Sequence, residues 1–137
     1  MRNSIVKHVD GCGRELENDT GEFVKPEDQI WSDLTWGKHR DKQNVLLSQI
    51  YDSFYRVRSI GSGSLSLAWL SQGHFGAYFS WGLTEDKYSD IAAGLLIAEE
   101  AGAVVRIIKI HNEKSAVAVG SVQTTDFLLS LIPQDGP

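Results

Sequence analysis

The 137-residue sequence predicts an α/β domain built from layers of helix and sheet. Short β-branched and aromatic runs alternate with stretches whose apolar residues recur at three- and four-residue spacing, as strands and amphipathic helices do in succession. Glycines punctuate the junctions, where chain reversals need backbone freedom. A hydrophobic fraction of 42% and a charged fraction of 23% are those of an ordinary globular chain, far from the composition of disorder. The length corresponds to a single domain, residues 1–137, with an irregular or rewired segment at 1–28 and the layered body at 29–137.

Residues 4–9 are expected to form a strand, followed by a polar stretch at 10–28 broken by Gly11, Gly13, Gly21 and Pro26. Residues 29–36 place Ile30 and Leu34 beside Trp31 and Trp36 in a second strand, closed by Gly37. A helix over 41–55 follows from Leu46, Ile50 and Phe54 at four-residue spacing, with Leu47 and Tyr51 widening the stripe. Asp41 adds negative charge at its favourable end. Residues 56–60 read as a short strand, and Gly61-Ser62-Gly63-Ser64 opens a helix to about residue 71, with Gly73 as its stop.

The aromatic-rich residues 74–81 read as a strand and 82–89 as a polar loop, so that Asp90 begins the next helix. There Ile91, Leu95 and Ala98 form the apolar stripe, small residues at 92–94 and 101 permit close packing, and Gly102 ends the helix. Residues 103–110 are nearly all apolar, as in a strand buried on both faces. After a turn at 111–115, residues 116–121 form another strand and 124–131 a closing helix. There is no internal repeat or linker.

Thirteen basic against eighteen acidic residues give a net charge of −5, which argues against nucleic acid as the partner. The lone cysteine, Cys12, excludes an internal disulfide and is compatible with a reducing cytosol. The first residues lack the apolar core of a signal peptide, and no later run approaches a membrane span. A cytoplasmic protein with no membrane partner is expected.

Two glycine-punctuated blocks carry the chemistry, residues 58–69 and 89–102. The first presents small residues and backbone donors at a helix start, where an anion can sit. The second presents the carboxylate of Asp90, a hard oxygen ligand of the kind Mg²⁺ takes together with substrate phosphate. Each also has a plainer reading. Asp90 can be a helix N-cap, and spacing alone favours that role; Ser62 or Ser64 can cap the helix that the glycine-serine turn opens.

The sequence resembles the inositol monophosphatases, within the Mg-dependent, lithium-sensitive phosphatases. Arg58-Ser-Ile-Gly61, Leu65-Ser-Leu-Ala-Trp69, Gly73-His-Phe-Gly-Ala-Tyr78, Ser89-Asp-Ile-Ala-Ala-Gly94 and Glu100-Ala-Gly102 follow the order and spacing of that family's C-terminal half. The resemblance implies the C-terminal half of the inositol monophosphatase and fructose bisphosphatase fold, and hydrolysis of a phosphate monoester by metal-activated water. It makes Asp90 a metal ligand and catalytic residue. It makes Gly61, Ser62 and Gly63 a substrate-contacting turn. The substrate is then a small phosphorylated metabolite, an inositol phosphate or a related sugar or nucleotide phosphate, and the cofactor is Mg²⁺.

Departures from the pattern qualify this. Ser80 occupies a substrate-contacting position where the family carries an acidic residue, and Ser89 replaces a tryptophan before Asp90. Glu85 or Asp86 could supply a displaced carboxylate, although a solvated loop charge is the simpler role. The family's Gly-Glu-Glu and Asp-Pro-x-Asp-Gly-Thr elements, which hold most of its metal ligands, are absent from the sequence. One carboxylate does not make a two-metal site.

The chain is therefore expected to be a C-terminal half, incomplete for Mg²⁺ binding and full activity alone. A missing N-terminal half, or self-association into a homodimer that covers an otherwise bare sheet face, would be its partner. The alternative is a non-catalytic binding or interaction module derived from the family. His8, His39, His74 and His111 lack metal-ligand spacing, and Glu99 and Glu100 diverge on their helix. The four tryptophans, Trp31, Trp36, Trp69 and Trp81, are expected in core or interface rather than in a sugar platform, and Cys12 lacks the partners of a nucleophile.

Overall fold

The computed structural model describes residues 29–34, 40–59, 61–110 and 114–132. Their order is β1 (Gln29–Leu34), α1 (Arg40–Ser53), β2 (Arg56–Arg58), α2 (Gly63–Ser71), β3 (Ala77–Leu83), α3 (Glu85–Glu100), β4 (Val104–Lys109), β5 (Ser115–Gly120) and α4 (Val122–Ser130). The expected strand at 4–9 and polar stretch at 10–28 lie outside the described residues.

The five strands form one mixed sheet in the order β2-β1-β3-β5-β4. β1 runs parallel to both β2 and β3, with Ile30 opposite Val57 and Ala77. β3 and β5 are antiparallel, as are β5 and β4. Side chains alternate across the two central strands. Ala77, Phe79 and Trp81 of β3 join Ala116 and Ala118 of β5 on one face, where Leu46 and Ile50 of α1 and Leu128 of α4 cover them. Tyr78, Val117 and Val119 face the other way, against Leu67 and Leu70 of α2 and Ile91, Leu95 and Ala98 of α3. Leu83 joins this second cluster past a register shift after Trp81. Each large side chain so buried contributes about 1.5–3 kcal/mol.

Both faces of the sheet are thus covered by helices of the same chain. This corrects the expectation of a bare face: α1 and α4 supply the covering layer, and Phe54 meets Phe127 where they approach, with ring centroids 6.3 Å apart.

Two further expectations are corrected. The loop expected at 82–89 is confined to Thr84, because β3 continues to Leu83 and α3 begins at Glu85. Thr84 is the extended N-cap residue and its carbonyl accepts the Tyr88 N–H at 2.9 Å. Glu85 and Asp86 fill the first turn, where the helix dipole stabilises negative charge, and Tyr88 packs on the core below. Residues 104–109 form not a doubly buried strand but an edge, bonded to β5 and half-exposed along most of its length. Arg106 pairs with Asp126 and ties this edge to α4.

The helix ends follow the local sequence. Gly73 donates to the Leu70 carbonyl at 2.9 Å and His74 to that of Trp69 at 3.2 Å; Gly102 and Ala103 repeat the pattern on Glu99 and Ala98 at 2.9 and 3.0 Å. Both are Schellman ends, and the left-handed φ of 83° and 95° they require is why glycine stands at each. Ser121 caps α4 by accepting from the Thr124 N–H at 3.1 Å, which starts the helix two residues before its apolar pattern does. Among the described residues no helix is long and apolar enough to cross a membrane.

Candidate functional site

The site is built where β2 hands the chain to α2. Gly61 takes a left-handed φ of 72° and is exposed, with open space where a side chain would stand. Ser62 is the N-cap of α2: its hydroxyl accepts from the Leu65 N–H at 3.4 Å, and its carbonyl receives the Ser66 N–H at 3.0 Å. Gly63 is the first helical residue and is half-buried. The first turn of α2 holds no acidic residue. No side-chain charge of the helix itself therefore offsets the positive end of its dipole, which favours an anion there.

Asp90 is the sixth residue of α3 rather than its cap, and it is exposed. The two glycine-punctuated blocks nevertheless meet. α2 packs along α3, and the Ser64 hydroxyl donates to the main-chain carbonyl of Asp90 at 2.5 Å. One turn further on, Gly94 lies against Leu67: a methyl group on Gly94 would stand 2.9 Å from two Leu67 side-chain atoms. The seam therefore sets the turn beside the main chain of Asp90. Sequence reasoning offered Ser64 only as an alternative cap. Its cross-helix bond spans 26 positions and has no signature in local spacing.

Ser80 is placed differently. It sits mid-strand in β3, opposite Val117 of β5 and Asp33 of β1, with no exposure to solvent. The alternation of β3 puts it on the Tyr78 face, beneath α2 and α3. It thus shares a side of the sheet with the turn and with Asp90 without reaching the surface between them.

Asp86 stands one helical turn before Asp90, on the same face of α3 and exposed, and Glu85 precedes it. Among the described residues no group of three or more His, Cys, Asp or Glu comes together to hold a metal ion. His74 bonds Gln72 at 3.2 Å and lies 6.3 Å from the Trp69 ring, a packing arrangement at the end of α2. Trp81 is a core residue and Trp69 is partly exposed. Glu99 and Glu100 are exposed. Cys12, His8, His39, Trp36 and His111 lie outside the described residues.

Known proteins resemble this chain in sequence and fold. The chain is 42% identical over 66 residues to an inositol-1-monophosphatase of Mycobacterium bovis, a match spanning 48% of this chain and 22% of that protein. It is 33% identical over 79 residues to a protein of Pseudomonas aeruginosa called Nus factor SuhB, spanning 56% of this chain and 28% of the relative. The solved structure of Mycobacterium tuberculosis SuhB superposes with a TM-score of 0.62 at 30% identity, covering 89% of this chain and 47% of the other. The chain thus spans less than half the length of the relatives it matches. The sequence model of the inositol monophosphatase family matches residues 3–132, and with the sheet, the glycine-serine turn and the Asp90 helix in the expected order the chain belongs to that family.

Proposed function

We propose that the chain supplies one side of a phosphomonoesterase site acting on an inositol phosphate or a related sugar or nucleotide phosphate. The observation that carries this reading is the junction of α2 and α3, which sets the Gly61–Gly63 turn beside Asp90. The turn offers backbone N–H groups and open space at Gly61 for a hydroxylated, anionic substrate. Ser80, fully buried in β3 where the family pattern has a carboxylate, supplies no charge to the surface at which a substrate would be held.

Among the described residues no three metal-ligating side chains come together, and the hard donor this reading relies on is the exposed carboxylate of Asp90. That fits a one-ligand share in a Mg²⁺ site, the remaining positions being taken by phosphate oxygens and water, and does not build a two-metal centre. Asp90 would hold the ion. When bound, Mg²⁺ supplies charge neutralisation at the phosphate and a more acidic water. The chain's own contribution is to orient the substrate against the α2 N-terminus and to fix the carboxylate beside it.

The remaining ligands would come from outside the described residues, from the part of the family's site they lack or from another copy of this chain. Exposed Leu65 and Trp69 on α2, and Leu96 and Ile97 on α3, provide apolar surface for such a contact. A cytoplasmic location belongs to this reading and rests on the single cysteine in 137 residues.

A second reading, a non-catalytic interaction module, is favoured by the Pseudomonas aeruginosa relative, whose name is that of a Nus factor rather than a phosphatase. Mg²⁺-dependent phosphate release from inositol monophosphate separates the two, measured on the full chain with the active species sized by light scattering. Activity confined to a dimeric or hetero-oligomeric species, and lowered at least 100-fold in Asp90→Asn, is expected from loss of a metal ligand, roughly the scale on which groups acting directly at a reacting centre count. Phosphate release that Asp90→Asn leaves intact removes Asp90 from the site. No release from any species supports the interaction module.

A further inference from the structure

Helical serines in this fold mostly turn their hydroxyls back onto their own helix. Ser53 bonds Gln49, Ser66 bonds Ser62, Ser71 bonds Leu67 and Ser89 bonds Glu85, each at the carbonyl four residues earlier. Ser64 has no such carbonyl in its helix, because it is only the second residue of α2. Nor is it needed as a cap, since Ser62 fills that role. Its hydroxyl instead crosses to α3 and donates to the Asp90 carbonyl at 2.5 Å. That carbonyl already serves the α3 ladder with one lone pair, and the second is free to accept the hydroxyl.

We propose that Ser64 is a positioning residue, whose bond to the Asp90 main chain fixes the Asp90 carboxylate relative to the Gly61–Gly63 turn. The inference rests on the phosphatase reading, in which that carboxylate takes the metal. Ser64 touches neither ion nor substrate; it acts through the backbone of Asp90. The contact of Gly94 with Leu67, one turn along each helix, closes the same seam from the other side. Together they restrain sliding and rotation of α3 along α2, so the main chain that bears the carboxylate is placed before any ligand arrives.

The test titrates the full chain with Mn²⁺, a paramagnetic stand-in for Mg²⁺, following the free ion by electron paramagnetic resonance. The site is defined as the binding that Asp90→Asn removes. Ser64→Ala is expected to weaken that binding about fivefold, the scale of one lost hydrogen bond, beyond any lowering of the thermal midpoint, which is read beside it. Ser64→Thr restores the hydroxyl and is expected to bind within about twofold of the original. The Ser64→Thr and Ser64→Val pair, alike in shape and different in the hydroxyl, repeats the comparison should the alanine variant not fold. Equal affinity with and without the hydroxyl, while Asp90→Asn still abolishes the site, overturns the positioning role and leaves the phosphatase reading standing. Mn²⁺ binding that Asp90→Asn does not change, or no binding by the unsubstituted chain, overturns the metal role of Asp90, and the inference with it.

Discussion

Asp90 owes its freedom to being a helical residue rather than a cap. A capping carboxylate spends its oxygens on the N–H groups of its own helix, whereas a side chain six residues into α3 projects from the exposed face. Its partner in the seam is a residue with no side chain at all. Gly94 lets α2 approach so closely that a methyl group there would lie 2.9 Å from the Cβ and Cδ1 of Leu67. The Cβ stem cannot swing away, so one helix must shift. Gly94→Ala is therefore expected to destabilise the fold by about 1–2 kcal/mol despite the better helix propensity of alanine, measured by urea denaturation. A neutral or stabilising effect would mean that the seam is looser than described. The candidate site residues were picked out by the family resemblance, whereas spacing alone favoured capping roles for Ser62, Ser64 and Asp90. The burial of Ser80 and the reach of Ser64 were not legible in the sequence, since both depend on which strands and helices become neighbours.

At the scale of elements, the apolar periodicities located α1, α2 and the body of α3, and the glycines located two helix ends. The start of α3 was hidden by composition. Glu85, Asp86 and Lys87 look like a solvated loop, yet glutamate and lysine are good helix formers and the acidic pair suits the first turn. The status of β4 was hidden for a different reason. An apolar run reads as a buried strand, and only the strand order shows that 104–109 lies at an edge. The longer α3 is testable at Ser89, an exposed residue whose N–H belongs to the helical ladder. Ser89→Pro is expected to cost about 3 kcal/mol relative to Ser89→Ala, read from the shift in denaturation midpoint. A proline tolerated there would place residue 89 in a loop, with the helix starting at Asp90.

For the molecule as a whole, the consequence of α1 and α4 is that the central strands β3 and β5 are covered on both faces by one chain. Two core clusters, one on each face, replace the bare surface that the sequence implied. Association is then not required to hide a sheet. In the proposed phosphatase reading its role is to complete the site, because the described residues bring together no three metal-ligating side chains. The central claim is that the α2 N-terminus and Asp90 together receive a phosphorylated ligand. Amide NMR of the full chain titrated with inositol monophosphate and Mg²⁺ tests it most directly. The predicted result is a set of saturable shifts concentrated at Gly61, Ser62, Gly63, Ser64 and Asp90, lost in Asp90→Asn. Shifts that are absent there, or that appear only on other surfaces, would contradict it.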